Sequence, residues 1–329
     1  MSEIAVIGGG AWGTALAANS ARKAQSPILW ARDKRVVESI RGEGENKAYL
    51  AGISLPAGIQ VTDNATDIGG ADIVLIVVPT QSLRSVLLIF QDIIKPSARL
   101  VLCAKGLEKE TGKRVSEITR ELMPNNPIAV LSGPSFADDV AKGLPTAVTL
   151  ASETIDEASQ LAQALSSPSL RLYASRDIIG VELGGALKNI IALAAGIGRA
   201  KNVGASAEAA LTTRGFAELA RVARHFGAEP ETLMGLSCLG DLVLTCSSPQ
   251  SRNFSYGMAM GDAENGAGAL AKMKLAEGVQ TSHIAAELCR KEHIDAPIIF
   301  AIDSVLQGSI NIEEAMNQLL ARPLKTEIF

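Results

Sequence analysis

The sequence predicts an α/β doubly wound sheet over residues 1–176, followed by an all-α domain over 177–329. Three observations carry that prediction. Short apolar runs alternate with helical patterns as far as about residue 175, the arrangement of parallel strands joined by crossover helices. The first run opens directly into a glycine turn. Beyond Ser175 one helical pattern follows another, and no run reads as a strand.

The opening run is Ile4–Ile7, and Gly8, Gly10 and Gly13 follow it in G-x-G-x-x-G spacing. In that pattern the first glycine permits a tight turn, the second admits a pyrophosphate to the backbone, and the third lets helix and strand pack closely. An alanine- and leucine-rich helix to about Lys23 comes next, and its unpaired N-terminal N–H groups attract phosphate. A dinucleotide site is the sharp reading and a purely structural turn the plain one. With it, the first domain reads as Rossmann-like.

The second strand covers Pro27–Trp30 and ends at Ala31-Arg32-Asp33. Ala71–Val78 is nearly continuous in apolar residues, as a central parallel strand covered on both faces requires. Pro79–Ser82 ends it and opens a helix to about Ile94. Arg99–Cys103 leads into Ala104–Leu107, and Pro127–Leu131 leads into Ser132–Ala137. Thr146–Leu150 and Leu170–Tyr173 complete the strands. In the second domain, Asp177 starts a helix through about Gly198, and helices follow over Ala205–Phe226, Ser282–Lys291 and Ile312–Leu320. The glycine-rich stretch Gly257–Gly268 reads as a mobile loop.

Composition narrows the function. The 329 residues carry a formal net charge of −4 and no dense basic block, so nucleic acid is not an expected partner. Any anionic ligand must be held by a few local cations. Cys103, Cys238, Cys246 and Cys289 show no C-x-x-C spacing, and reduced buried thiols are expected. The three histidines are scattered, and no metal site is expected. The apolar stretch Ile178–Ile197 contains Glu182, Lys188 and Asn189, so it reads as a core helix rather than a membrane span. A cytoplasmic location without membrane partners follows, with a homodimer possible.

Ligands of open α/β sheets sit beyond the carboxyl ends of the strands. That directs attention to Gly8–Gly13, Pro79–Ser82, Lys105–Gly106 and Gly133–Ala137. At the end of the second strand an acid binds the ribose 2′-hydroxyl of NAD, whereas arginine pairs with the 2′-phosphate of NADP. Here Arg32 precedes Asp33, so NADP is an expected cofactor beside NAD; a solvated Arg-Asp pair is the plain alternative. Lys188 shares a helix face with Gly184, Gly185, Ile191 and Ala192. Two glycines inside a helix each cost about 1 kcal/mol against alanine and leave room for a ligand or another backbone. A buried ammonium there needs an anion; a snorkelling lysine is the alternative. Ser251-Arg252-Asn253 offers a charged fork and neutral donors to a phosphate. Asp241, after Gly240, reads as a cap or turn residue.

Six segments in order resemble bacterial NAD(P)-dependent glycerol-3-phosphate dehydrogenase. They are Gly8–Leu16, Ala104–Leu107, Ser132–Ala137, Leu183–Asn189, Gly235–Leu242 and Gln250–Asn253, with Glu277-Gly278 as a further match. The resemblance implies reversible hydride transfer between sn-glycerol 3-phosphate and dihydroxyacetone phosphate, supplying phospholipid synthesis. It implies Lys188 as the proton acceptor and donor, with Lys105 as a second active-site lysine and Asp241 beside them. It implies substrate contacts at Lys105, Gly133, Ser135, Lys188, Asp241, Ser251, Arg252 and Asn253. It implies cofactor contacts at Gly8, Gly10, Ala11, Trp12, Gly13, Arg32, Lys105, Ala137, Arg252, Leu275 and Glu277. Ala11 replaces a hydroxyl residue common in relatives and is left with backbone contacts; Ser135 replaces a threonine and keeps the hydroxyl; Leu275-Ala276 replaces two valines. A ketopantoate-type dehydrogenase shares the domain plan and a lysine but lacks the Ser-Arg-Asn segment.

Overall fold

The computed structural model describes residues 3–262, 273 and 276–323. The chain divides into two compact units, Met1–Lys105 with Lys113–Ile178, and Gly106–Gly112 with Ile179–Phe329. The short piece Gly106–Gly112, which lies inside the range assigned to the first domain from sequence, belongs to the second unit because Leu107 is buried in that unit's core.

The first unit holds an eight-stranded sheet in the order β3-β2-β1-β4-β5-β6-β7-β8. Its strands are β1 Ile4–Ile7, β2 Ile28–Trp30, β3 Gln60–Thr62, β4 Ile73–Ile76, β5 Arg99–Leu102, β6 Ile128–Ser132, β7 Thr146–Ser152 and β8 Leu170–Ser175. Its helices are α1 Ala11–Arg22, α2 Lys34–Glu43, α3 Thr80–Phe90, α4 Val115–Leu122, α5 Ala137–Lys142 and α6 Ile155–Leu165. Strand β1 lies between β2 and β4, parallel to both, with Ala5 opposite Ile28 on one side and Val74 on the other. All four residues of β1 and of β4 are buried, as expected of strands covered on both faces.

Two features depart from the sequence reading. Strand β3 was not predicted; it is three residues long, too short to display a period, and it pairs Val61 with Leu29. Strand β7 runs antiparallel to β6, with β8 parallel to β7, so the sheet is not wholly parallel. The connection from Ser132 to Thr146 holds only the six-residue α5, which ends at the left-handed Gly143.

The elements of the second unit among the described residues are helical: α7 Ile178–Ala200, α8 Ala205–His225, α9 Pro230–Leu233, a π turn Leu236–Gly240, α10 Asp241–Ser247, α11 Arg252–Gly261, α12 Glu277–Lys291, α13 Pro297–Leu306 and α14 Ile312–Leu320. Helix α7 is long and apolar enough to cross a membrane, yet 94% of that window is buried inside the protein. Its neighbours reach it through glycine. A Cβ at Gly196 would stand 2.1 Å from the Phe254 carbonyl, and one at Gly257 would stand 2.1 Å from the Leu193 carbonyl. Side chains at either place would force α7 and α11 apart. Gly257 and Gly261 are therefore helical packing residues and not part of a loop, which corrects that portion of the Gly257–Gly268 reading; residues 263–268 lie outside the described residues.

Candidate active site

In the first unit the glycine turn is built around forbidden volumes. Gly8 has φ of +126°, and a Cβ there would lie 2.2 Å from the Val77 carbonyl oxygen. A Cβ at Gly13 would lie 1.9 Å from the Gly8 carbonyl oxygen. At Gly10 nothing stands within 4 Å. The two flanking glycines are thus required by packing, whereas the space at Gly10 is open to a ligand. Gly10 is also the N-cap of α1 and supplies no side-chain cap, so the first N–H groups, at Ala11 and Trp12, need another acceptor. This cradle fits the pyrophosphate of a dinucleotide.

The end of β2 has an arrangement of its own. Asp33 caps α2, accepting the Arg35 N–H at 3.0 Å, and also pairs with the Arg35 guanidinium at 2.8 Å. These bonds hold the Asp33 carboxyl below its ordinary pKa. The acid at the place where NAD-specific sites bind ribose is therefore already engaged by its own helix, while Arg32 is exposed beside it. A 2′-phosphate suits that charge better than a 2′-hydroxyl.

Further along the same sheet, the Lys105 ammonium donates to the Gly133 carbonyl at 3.2 Å, and the Ser135 hydroxyl donates to the same oxygen at 3.1 Å. Gly133 is there because a Cβ would stand 2.8 Å from Val148 Cα. Ala137 opens α5 close behind. The structure thus brings Lys105, Gly133 and Ser135 together at the ends of β5 and β6.

In the second unit Lys188 and Asp241 form a buried ion pair. Lys188 Nζ lies 2.9 Å from Asp241 Oδ1 and 2.6 Å from Thr245 Oγ1. The side chains are 8% and 3% exposed. Thr245 in turn donates to the Asp241 carbonyl at 2.6 Å. The anion that a buried ammonium requires is supplied by the protein itself, and Lys188 does not snorkel. Asp241, read as a cap or turn residue from sequence, is the first residue of α10 and the lysine's partner. Gly184 explains how they meet. A Cβ at Gly184 would stand 2.7 Å from Cys238 Cβ, so its absence lets the π turn seat against α7 and deliver Asp241 to Lys188, one turn further along.

Ser251 caps α11, accepting the Phe254 N–H at 3.2 Å. Arg252, the first residue of that helix, is exposed. Its guanidinium makes no hydrogen bond or ion pair among the described residues. Asn253 is buried and committed: its amide donates to Asn189 Oδ1 at 2.9 Å and accepts the Gly278 N–H at 2.8 Å. It therefore ties α7, α11 and the start of α12 together. Glu277, half-buried, is the first residue of α12. Leu275 lies outside the described residues.

Comparison with known proteins decides the family. The model of the NAD-dependent glycerol-3-phosphate dehydrogenase N-terminus matches residues 3–158, and that of its C-terminus matches 177–317. The chain belongs to this family. It is 54% identical over 327 residues to the glycerol-3-phosphate dehydrogenase [NAD(P)+] of Brucella ovis, covering 99% of both chains. It is 52% identical over 325 residues to that of Chelativorans, covering 98% of each. The crystal structure of glycerol-3-phosphate dehydrogenase from Coxiella burnetii superposes with a TM-score of 0.91 at 37% identity, covering 98% of this chain and 99% of that one.

Two partners within the family's fold escaped the sequence reading. Thr245 holds the Lys188 ammonium, and Asn189 holds Asn253. Thr245 lies four residues after Asp241, a helical spacing that places both on one face, and that spacing was the available signal. Asn189 follows Lys188 directly, but nothing in the sequence pairs it with position 253. The four cysteines are free and buried. Burial raises their thiol pKa values, to about 11 at Cys289 and about 12 at Cys246, so they are poor nucleophiles.

Proposed function

We propose that this chain interconverts sn-glycerol 3-phosphate and dihydroxyacetone phosphate with NADP or NAD, supplying glycerol 3-phosphate for phospholipid synthesis. The observation that carries the reading is the buried Lys188–Asp241–Thr245 cluster of the second unit; the first unit adds a glycine cradle that is open at Gly10. The bound nicotinamide supplies the hydride for ketone reduction and takes it back in alcohol oxidation. Lys188, an ammonium in the pair with Asp241, donates a proton to the C2 oxygen during reduction and recovers it during oxidation. Asp241 and Thr245 fix the direction of the Lys188 ammonium before substrate arrives, so little reorganisation is needed.

Arg252 and the unpaired N–H groups at the start of α11 hold the substrate phosphate, with Ser251 stabilising that helix end. Asn253 acts chiefly by holding this turn in place, since both ends of its amide are engaged. Lys105, Gly133 and Ser135 form a second polar group for substrate, and Lys105 also serves the cofactor. Arg32 takes the 2′-phosphate of NADP; Ala11, Trp12, Ala137, Arg252, Leu275 and Glu277 complete the cofactor contacts. A cytoplasmic location and small-molecule partners, as expected from the sequence, belong to the same reading.

The test is absorbance-monitored oxidation of NADPH with dihydroxyacetone phosphate, repeated with NADH. Turnover with both cofactors supports the reading. Turnover of ketopantoate with none of dihydroxyacetone phosphate would replace the substrate, and a large NADH preference would reject the role of Arg32.

A further inference from the structure

We propose that Asn46, on the loop after α2, is a positioning residue for cofactor binding, which it serves by fixing the peptide between Gly9 and Gly10. The inference rests on the cofactor cradle described above. Asn46 is fully buried, at 0% exposure. Its amide donates to the Gly9 carbonyl at 3.0 Å and to the Thr14 hydroxyl at 2.8 Å. A carbonyl only accepts, so the NH₂ end of the amide must face Gly9. The other end, Asn46 Oδ1, has no partner among the described residues. The fold therefore leaves one buried acceptor unsatisfied while using both amide hydrogens on the turn and α1, a costly arrangement for mere filling.

The geometry of the turn says what those bonds do. The peptide between Gly9 and Gly10 is trans, as all described peptides are. In a trans peptide the C=O and the N–H point in opposite directions. Anchoring the Gly9 carbonyl on Asn46 therefore turns the Gly10 N–H the other way. That N–H has no acceptor among the described residues, and the space at Gly10 is open. On its other side Gly9 is confined by Ala31, whose Cβ would lie 2.4 Å from a Cβ on Gly9. The peptide is thus pinned from two sides with a donor presented to the phosphates. Asn46 is itself fixed, because its own carbonyl accepts the Leu50 N–H at 2.8 Å and Leu50 is buried in the core.

The experiment compares the full-length wild type with Asn46→Ala, Asn46→Asp and Thr14→Val by calorimetric titration of NADPH and of 2′-AMP, which lacks the pyrophosphate. Losing one anchoring hydrogen bond should weaken NADPH about tenfold in Asn46→Ala, leave 2′-AMP unchanged, and leave kcat at saturating NADPH within about twofold. Asn46→Asp preserves shape, sets a carboxylate against the Gly9 carbonyl, and should weaken NADPH at least as much; it carries the test if the alanine variant does not fold. Thr14→Val loses the neighbouring bond and keeps the one to Gly9, so its NADPH affinity should match wild type. Unchanged NADPH affinity in the Asn46 variants overturns the proposal. So does equal weakening of 2′-AMP, or an equal effect of Thr14→Val, since either would mark a general loss of structure. Wild type that failed to bind NADPH would instead sink the cofactor reading itself.

Discussion

Removing one partner of the Lys188–Asp241 pair should injure the fold and the chemistry in separable ways. The two groups are 2.9 Å apart with side chains 8% and 3% exposed. Lys188→Met takes the ammonium away from the buried Asp241 carboxyl. Breaking a buried pair from one side costs about 3–5 kcal/mol, because a charge is left uncompensated. Asp241→Asn should cost a similar amount by stranding the ammonium. The double variant removes both charges and should recover most of that loss, giving a coupling energy of about 2 kcal/mol or more. Activity should behave differently. Lys188→Met should lower kcat about 10²-fold or more, and the double variant should stay as inactive, since no proton donor returns with stability. Both tryptophans, Trp12 and Trp30, lie in the first unit, so their fluorescence does not report on this pair. Amide hydrogen exchange over Ile178–Ala200 in urea does. Additive losses across the cycle would refute the buried-pair argument, and recovered activity in the double variant would refute the role of Lys188 as proton donor.

Other outcomes follow from single contacts. Gly184→Ala should displace the π turn, since its Cβ would lie 2.7 Å from Cys238 Cβ; kcat should fall while NADPH affinity holds, and an unaltered kcat would show that the turn does not place Asp241. Glu218 is buried and accepts the single Ile298 N–H at the start of α13 on both of its oxygens, at 3.0 and 2.9 Å. Burial pushes its carboxyl up from 4.5 to about 7. Between those pH values the folded chain holds a proton that the unfolded chain releases, so stability should decline as pH rises through the window, by about 3 kcal/mol in all. Glu218→Gln should flatten that part of the urea-midpoint profile; parallel profiles would reject the assignment. Arg252→Ala should raise KM for dihydroxyacetone phosphate far more than for an unphosphorylated ketone, and equal losses on both substrates would deny it the phosphate. Oxidation of glycerol 3-phosphate releases a proton from the substrate hydroxyl and should quicken in alkali; a flat profile with chemistry rate-limiting would contradict the acid–base role of Lys188.

The sequence by itself determined the local pieces whose cause is local. Gly8, Gly10 and Gly13 announce a strand–turn–helix because their spacing answers demands within a few residues; the structure bears this out in the clashes that a Cβ would meet at Gly8 and Gly13 and in the open space at Gly10. The succession of sheet and helices was legible for the same reason: a short continuous apolar run marks a strand covered on both faces, and a period of about 3.6 marks a helix. What only the tertiary structure decided are relations between positions far apart in the chain. The antiparallel β7 shows only in its pairing with β6, the anion beside Lys188 stands 53 residues away at Asp241, and the packing role of Gly257 depends on the backbone of α7 passing close by. A period records what a residue needs to bury or bond. Which distant group meets that need is fixed only when the helices cross.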